Sequence, residues 1–270
     1  MGARALVMVT AAALVLSGCS GGPAGSGAST TGATAVGSTT ASGSATASGS
    51  ATATASTVTA STVLVTVAPT AALVPLWPFT SVAQAQNWQT AFRSGGQQPW
   101  HLDVEQTALT FTRNHLGYTE VDRITSRAVH GADARIGVGW SSPNEATATV
   151  AVLHLIRLGA GQDAPWVVVG TDDSRLVLQR PGYGSAVTSP LRVGGVITGV
   201  DESLRIRVLA PTSSRPLGEV GGVPAGGEHT PWSATLTFSA PAGTVLTLAV
   251  STGGHLKNVE QFAITAVRAG

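Results

Sequence analysis

One tract of this chain contains almost nothing that could form a core, and it limits where folded structure can lie. From Ser20 to Thr62 every residue is Ala, Gly, Ser or Thr except Pro23, Val36 and Val58, and no charged side chain occurs between Arg4 and Arg93. Such a segment cannot bury enough apolar surface to offset the entropy lost on ordering, so it predicts a disordered linker. As a flexible coil, about 45 residues of this kind reach roughly 35–40 Å r.m.s.. The hydroxyl density makes O-glycosylation plausible, whereas none of the four asparagines opens an N-x-[ST] sequon. Packed structure is thereby confined to residues 76–270.

The tract is preceded by the layout of an export signal. Arg4 supplies a positive n-region, Ala5 to Leu16 is an uncharged apolar run, and Ser17-Gly18 place small residues before Cys19. The run is shorter than the roughly 20 residues a spanning helix needs. Leu16-Ser17-Gly18-Cys19 resembles the lipobox of bacterial lipoproteins. The resemblance implies removal of a signal peptide 1–18, a diacylglyceryl thioether on Cys19, acylation of the new amino terminus, and anchoring at the extracytoplasmic face of the cell membrane. The alternative is an ordinary signal peptide with an incidental cysteine. Cys19 is the only cysteine, so no intrachain disulfide is available to an exported protein that could have used one.

Formal charge is +1 with Arg4 included, which leaves no basic footprint for nucleic acid. A single lysine, Lys257, amid abundant Ala, Gly, Val and Thr points to a GC-rich genome such as that of an actinobacterium. Val63 to Phe79 is more apolar, but Pro69, Pro75 and Pro78 argue against a membrane span. The stretch reads as an extended lead-in, continuous with a linker over 19–75, that docks Trp77 and Phe79 onto the first folded domain.

That domain is expected over 76–180. Ser81 with Gln84 three residues on is a capping-box pattern, and Val82, Ala85, Trp88 and Phe92 lie at helical spacing. Asp103 with Gln106 repeats the signal ahead of Val104, Ala108, Phe111 and His115, and Gly117 suits the residue after the helix. The period then becomes two. Ile136, Val138 and Trp140 share one face, Thr147 to Leu158 is a long strand, and Pro165–Gly170 with Leu176–Leu178 reads as a hairpin. Two helices on a curved antiparallel sheet make an α+β domain, similar in order to cystatin-like or nuclear-transport-factor-like folds. His154 shares its alternation with Val150, Val152, Ile156 and Leu158. With Trp140 it is the candidate lining of a ligand pocket in the sheet's concavity, against the alternative of a half-buried histidine satisfied by a carbonyl or water.

Residues 181–270 carry strand signals only. Leu191–Thr198 holds Gly194-Gly195, which suggests a bulge or close packing. Leu204, Ile206 and Val208 alternate with Arg205 and Arg207, predicting a half-buried strand with both arginines on its solvated face, against the alternative of a carbohydrate or anion contact. Trp232, Ala234, Leu236 and Phe238 alternate likewise, and Val245–Val250 and Val259–Val267 complete an all-β immunoglobulin-like sandwich. Pro181-Gly182 followed by Val187-Thr188-Ser189-Pro190-Leu191, Val193-x-Gly195, Pro231-Trp232, and Leu248 to Ser251 before Gly253-Gly254 resemble the immunoglobulin-like domain of bacterial spore-germination proteins, the Gmad family. The resemblance implies an extracytoplasmic sandwich, often on a lipoprotein, and brings no catalytic residues.

Other candidates have plainer readings beside the functional ones. His101-x-Asp103 lacks further spaced ligands, and Asp103 reads as a helix cap. Glu228-His229 and His255 fall in loops, and Asp172-Asp173 and Asp201-Glu202 fall in turns. Nucleotide-loop, zinc-protease and nucleophile-elbow motifs are absent. The sequence therefore predicts no catalytic residues, metal or cofactor. It predicts a lipid-anchored, non-enzymatic protein for cell-envelope interaction or scaffolding, with an envelope protein or the cell wall as partner. The alternative is a small-ligand or lipid-binding lipoprotein using the α+β pocket.

Overall fold

The computed structural model describes residues 73–270 apart from 97, 143, 144 and 200. The expected signal peptide, Cys19 and all but the end of the expected linker lie outside the described residues. Where the description begins, the lead-in is already docked. The Leu76 N–H donates to the Val168 carbonyl at 2.8 Å and the Val168 N–H donates to the Trp77 carbonyl at 2.8 Å, adding an extended segment to a strand edge.

Helix α1 (Val82–Arg93) begins as expected, with the Ser81 hydroxyl accepting from the Gln84 N–H. The return bond differs in detail, because Gln84 Oε1 accepts from the Thr80 N–H at 2.8 Å instead of from Ser81. The buried face is Ala85 and Gln89, while Val82 is exposed. Gln89 can be buried because its amide donates to the Ala160 carbonyl and to Asp163. Helix α2 (Val104–Thr110) is capped by Asp103, whose carboxylate accepts from the Glu105 and Gln106 N–H groups at 2.9 and 3.0 Å. It runs on through a wider turn, Phe111–His115, and the chain leaves through Gly117 at φ +75°, the left-handed position predicted for a glycine.

The described residues are mostly β. An antiparallel meander runs β1 (Arg123–His130), β2 (Asp133–Ser142), β3 (Glu145–Arg157) and β4 (Trp166–Thr171) in sequential order. The next strand, β5 (Leu176–Arg180), does not close a hairpin with β4 as the sequence suggested. It pairs instead with β7 (Leu191–Ile197), which also pairs with β10 (Thr230–Leu236), giving a three-stranded sheet. Asp172 to Arg175 is therefore a crossing between sheets, and the turn-rich composition that marks a hairpin marks a sheet change equally well. The remaining sheet has five strands, ordered β6 (Ala186–Val187), β12 (Gln261–Ala269), β11 (Val245–Thr252), β8 (Asp201–Leu209) and β9 (Gly218–Gly226).

The five-stranded sheet is the middle layer, and the described residues all fall within one compact unit. Leu246, Leu248, Val250 and Val267 face the three-stranded sheet and pack with Val193, Ile197, Trp232 and Leu236. Their neighbours Val245, Ala249, Phe262, Ile264 and Ala266 face the other way, into a second core with Phe111, Leu116, Ile136, Leu153 and Val168. Strands β11 and β12 are thus buried on both faces, and they read as nearly continuous apolar runs for that reason. The Gly194-Gly195 pair supplies close packing and a bulge at once. A Cβ on Gly195 would run into the Val177 carbonyl and meet the Trp232 ring, and the β5–β7 register shifts beside it.

Candidate functional site

The structure separates the two residues expected to share a pocket. Trp140 continues the Ile136 and Val138 face into the core beneath the meander and is 7% exposed. His154 pairs across the ladder with Arg135, so it lies on the opposite face of the sheet. A bulge, where Val138 pairs with Ala151 and Gly139 with Thr149, interrupts the alternation of β3 and leaves Leu153 and Leu155 as its inward residues. The expected concavity is filled by these side chains, and Trp140 and His154 do not line one cavity.

His154 nonetheless has a defined polar setting. Its Nε2 lies 2.7 Å from Asp133 Oδ2, and Arg135 bridges Asp133 at 2.6 Å and Asp172 at 2.8 Å. Desolvation works against ionisation of Asp133, but the hydrogen bond and charge of His154 together with Arg135 outweigh it and hold the carboxyl below its ordinary pKa. His154 also borders a small cavity of about 270 Å³ with Tyr183 and Thr171. The Thr171 hydroxyl is spent on the backbone of Ile264. Acceptance of the His154 ring by a carboxylate satisfies a half-buried imidazole and brings no nucleophile to it.

A larger opening lies at one end of the five-stranded sheet. Arg207 and Arg205 both occupy the same face of β8, and the alternation predicts both in solvent. Arg205 is exposed and pairs with Glu219 at 2.9 Å. Arg207 is 9% exposed, because its half of the strand is covered by the turn after α2. Its Nη2 donates to the Leu116 carbonyl at 2.7 Å, and its guanidinium carbon lies 4.8 Å from the centre of the Tyr118 ring. No carboxylate pairs with it among the described residues. Arg207, Tyr118, Ser203 and Ser251 are among the residues that line a cleft of about 340 Å³. Arg207 Nε and Tyr118 Oη are buried beneath its surface without a protein partner. Gly117, Gly221 and Gly222 border the same cleft, and a Cβ at any of them would meet nothing within 4 Å. Through Ser203, Gly222 and Gly253 the cleft continues into a wider, shallower depression of about 800 Å³ that reaches His255.

The other sequence candidates fall apart spatially or into structural roles. Asp103 is the α2 cap, and His101 is buried with its Nε2 against Gln98 Oε1 at 3.1 Å. Among the described residues no group of three or more His, Cys, Asp or Glu side chains is gathered as a metal site. The sequence treats Arg205 and Arg207 alike, as a solvated face or else a carbohydrate or anion contact, and the burial of Arg207 escaped that reading because its alternation with Ile206 and Val208 is identical to that of Arg205. Nothing local to the strand announces that residues 116–118 cover one arginine and not the other. Comparison with protein-family models, curated proteins and solved structures finds no match for the chain.

Proposed function

We propose that this chain is a membrane-anchored extracytoplasmic lipoprotein, held by acylated Cys19, whose folded part acts as a non-enzymatic cell-envelope interaction or scaffold protein. The reading includes two finer fold assignments. The helices and meander are of cystatin-like or nuclear-transport-factor-like type, and residues 181–270 form an immunoglobulin-like sandwich of the spore-germination kind.

The observation that carries the reading is how the chain enters the fold. A tether from Cys19 would pull on residues 73–79, and this segment is fastened twice. It pairs with β4 through Leu76 and Trp77, and the Tyr183 hydroxyl accepts from the Val74 N–H at 2.8 Å and faces the Val74 carbonyl at 3.3 Å. Behind the fastening, Trp77 packs against Trp100, Phe111 and His115. A head locked at the point where a long linker arrives suits presentation of a rigid surface to a partner at a distance from the membrane. Two measurements test this. Mass spectrometry of the mature N-terminal peptide is expected to show triacylated Cys19, and Cys19→Ala is expected to move the protein out of the membrane fraction. Crosslinking in intact envelopes followed by capture is expected to recover a wall or envelope component. An unmodified Cys19, or capture equal to that from cells lacking the protein, defeats the reading.

A further inference from the structure

The segment that carries the chain into the fold, residues 73–79, belongs to none of the three sheets. Its backbone holds β4 by one bridge, in which the Leu76 N–H donates to the Val168 carbonyl and the Val168 N–H to the Trp77 carbonyl, and Tyr183 ties Val74. On its other side β4 stays paired with β3, so the segment can leave without breaking a strand pair. The rest of its hold is packing, with Val74 and Leu76 buried and Trp77 and Phe79 half-buried. Segments fastened by few backbone bonds open at lower free energy than core strands do.

Each aromatic ring of the segment lies against a buried histidine. Trp77 is 6.0 Å from His115 and Phe79 is 5.0 Å from His101, between ring centres. The Nε2 of His101 is on the Gln98 side-chain oxygen, which leaves its Nδ1 without a partner, and the Nε2 of His115 has none either. A second proton on either ring places a charge and a donor where no group accepts them. The surrounding elements supply no counter-charge. Residues 73–79 and β4 carry no charged side chain. Arg93 of α1 pairs with Asp163, Asp103 is spent on the first turn of α2, Glu105 faces Arg127, and Glu120 is held by Asn258. Arg113, on the same helical segment as His115, is exposed, and Arg207 on β8 adds a positive charge that opposes protonation of His115.

We propose that residues 73–79 are an acid-released latch: protonation of His101 and His115 frees this segment from β4 and from the aromatic cluster while the three sheets stay folded. Release bares the outer edge of β4, whose backbone groups are then open to pairing. The docked rings have pKa values of about 4 against an ordinary 6.5. Docking is therefore complete above pH 6.5 and weakens as pH falls toward 4. At pH 5 each ring favours a hydrated, released state by up to about thirtyfold. The latch stands independently of the anchoring and scaffold reading and is tested on the protein in solution.

The experiment is hydrogen–deuterium exchange of the full chain, read by mass spectrometry at intervals from pH 7.5 to 5 and corrected for the pH dependence of the intrinsic rate. The amides of Val74 and Leu76 are expected to lose protection at least about tenfold across the interval, while those of β11 still exchange far more slowly. His101→Gln combined with His115→Phe is expected to abolish the pH dependence over 73–79. Should that variant fail to fold, Tyr183→Phe decides. It removes a tie that involves neither histidine, so the segment is expected to be released at a higher pH than in the unaltered chain, with β11 still protected. The proposal is overturned if protection over 73–79 does not change with pH, if it equals that of β11 at every pH so that the segment opens only with the whole fold, if the double variant keeps the original pH dependence, or if Tyr183→Phe leaves the pH of release where it was.

Discussion

Mild acid should destabilise this protein, and two histidines set the magnitude. His101 and His115 are 3% and 4% exposed. His101 sits among Trp100, Phe79 and Trp88, with Nε2 on Gln98 and no partner for Nδ1. His115 forms a three-ring cluster with Trp77 and Phe111, its Nε2 unpartnered. Burial lowers both pKa values from 6.5 to about 4, and for His115 the Arg207 charge adds to the effect. Because the folded values lie below the unfolded one, the unfolded chain binds more protons between pH 4 and 6.5. Stability is therefore complete above pH 6.5, falls as pH drops through that window, and has lost its full increment below pH 4. At pH 5 an unfolded imidazole is nearly all protonated and a folded one hardly at all, which costs about 2 kcal/mol per histidine, or about 4 kcal/mol together. That is a large share of the roughly 5–15 kcal/mol by which domains are stable.

The assay is urea unfolding followed by tryptophan fluorescence, at intervals from pH 7.5 to 5. Trp77, Trp88 and Trp100 all border the two rings. Asp133 and Asp163, whose carboxyls are held below their ordinary value, lose their contributions only as pH falls through the lower carboxylate range, so they stay out of this window. His115→Phe keeps a ring in the cluster with Trp77 and Phe111 and removes one titrating group, so the slope of stability against pH should fall by about half. Adding His101→Gln should remove most of the remainder. A slope unchanged in the double variant, or a loss under about 1 kcal/mol between pH 7.5 and 5 in the unaltered chain, would refute the assignment.

Gly195→Ala forces a Cβ into the Val177 carbonyl and against the Trp232 ring; a loss of about 1–3 kcal/mol is expected in equilibrium unfolding, appearing as a fall in Tm of several degrees. Asp103→Ala removes two hydrogen bonds at the start of α2 and should cost about 1 kcal/mol by the same measurement. Tyr183→Phe unfastens Val74; it should cost about 1 kcal/mol and raise amide exchange selectively over residues 73–77.

Local features are legible in the sequence and nonlocal ones are not. Both helix starts can be read because Ser81 and Asp103 act within a few residues of themselves, and so can the glycine stop at 117. The inward face of β2 is legible through Ile136, Val138 and Trp140. Two strands, β1 and β9, give no clear signal. β1 is largely exposed, with Arg123, Arg127 and Ala128 among its residues, and β9 is rich in glycine, so neither shows a strong alternation. Simple alternation puts His154 on the wrong face because a bulge near Val150 shifts the period by one, which composition does not reveal. The burial of Arg207 is unreadable for a different reason. Its burial comes from a turn some ninety positions earlier in the chain.

The same nonlocality bears on what can fold alone. A cut at Pro181 looks natural in the sequence, since all the chain beyond it is β. In the structure that cut removes β5 from the edge of β7 and uncovers the second face of the middle sheet, where Leu209, Val245, Ala249, Phe262, Ile264 and Ala266 pack against the helices and meander. Contiguous apolar faces of that kind are seldom left exposed on a stable monomer. Arg207 would lose the Leu116 carbonyl and the Tyr118 ring together. Fragment 181–270 is accordingly expected to bind a hydrophobic dye and to sediment as aggregates, whereas a fragment beginning at residue 73 should unfold in one cooperative step. A monomeric, cooperatively melting 181–270 would show that the middle sheet needs only one of its two cores, and that burial on both faces is not what makes β11 and β12 continuously apolar.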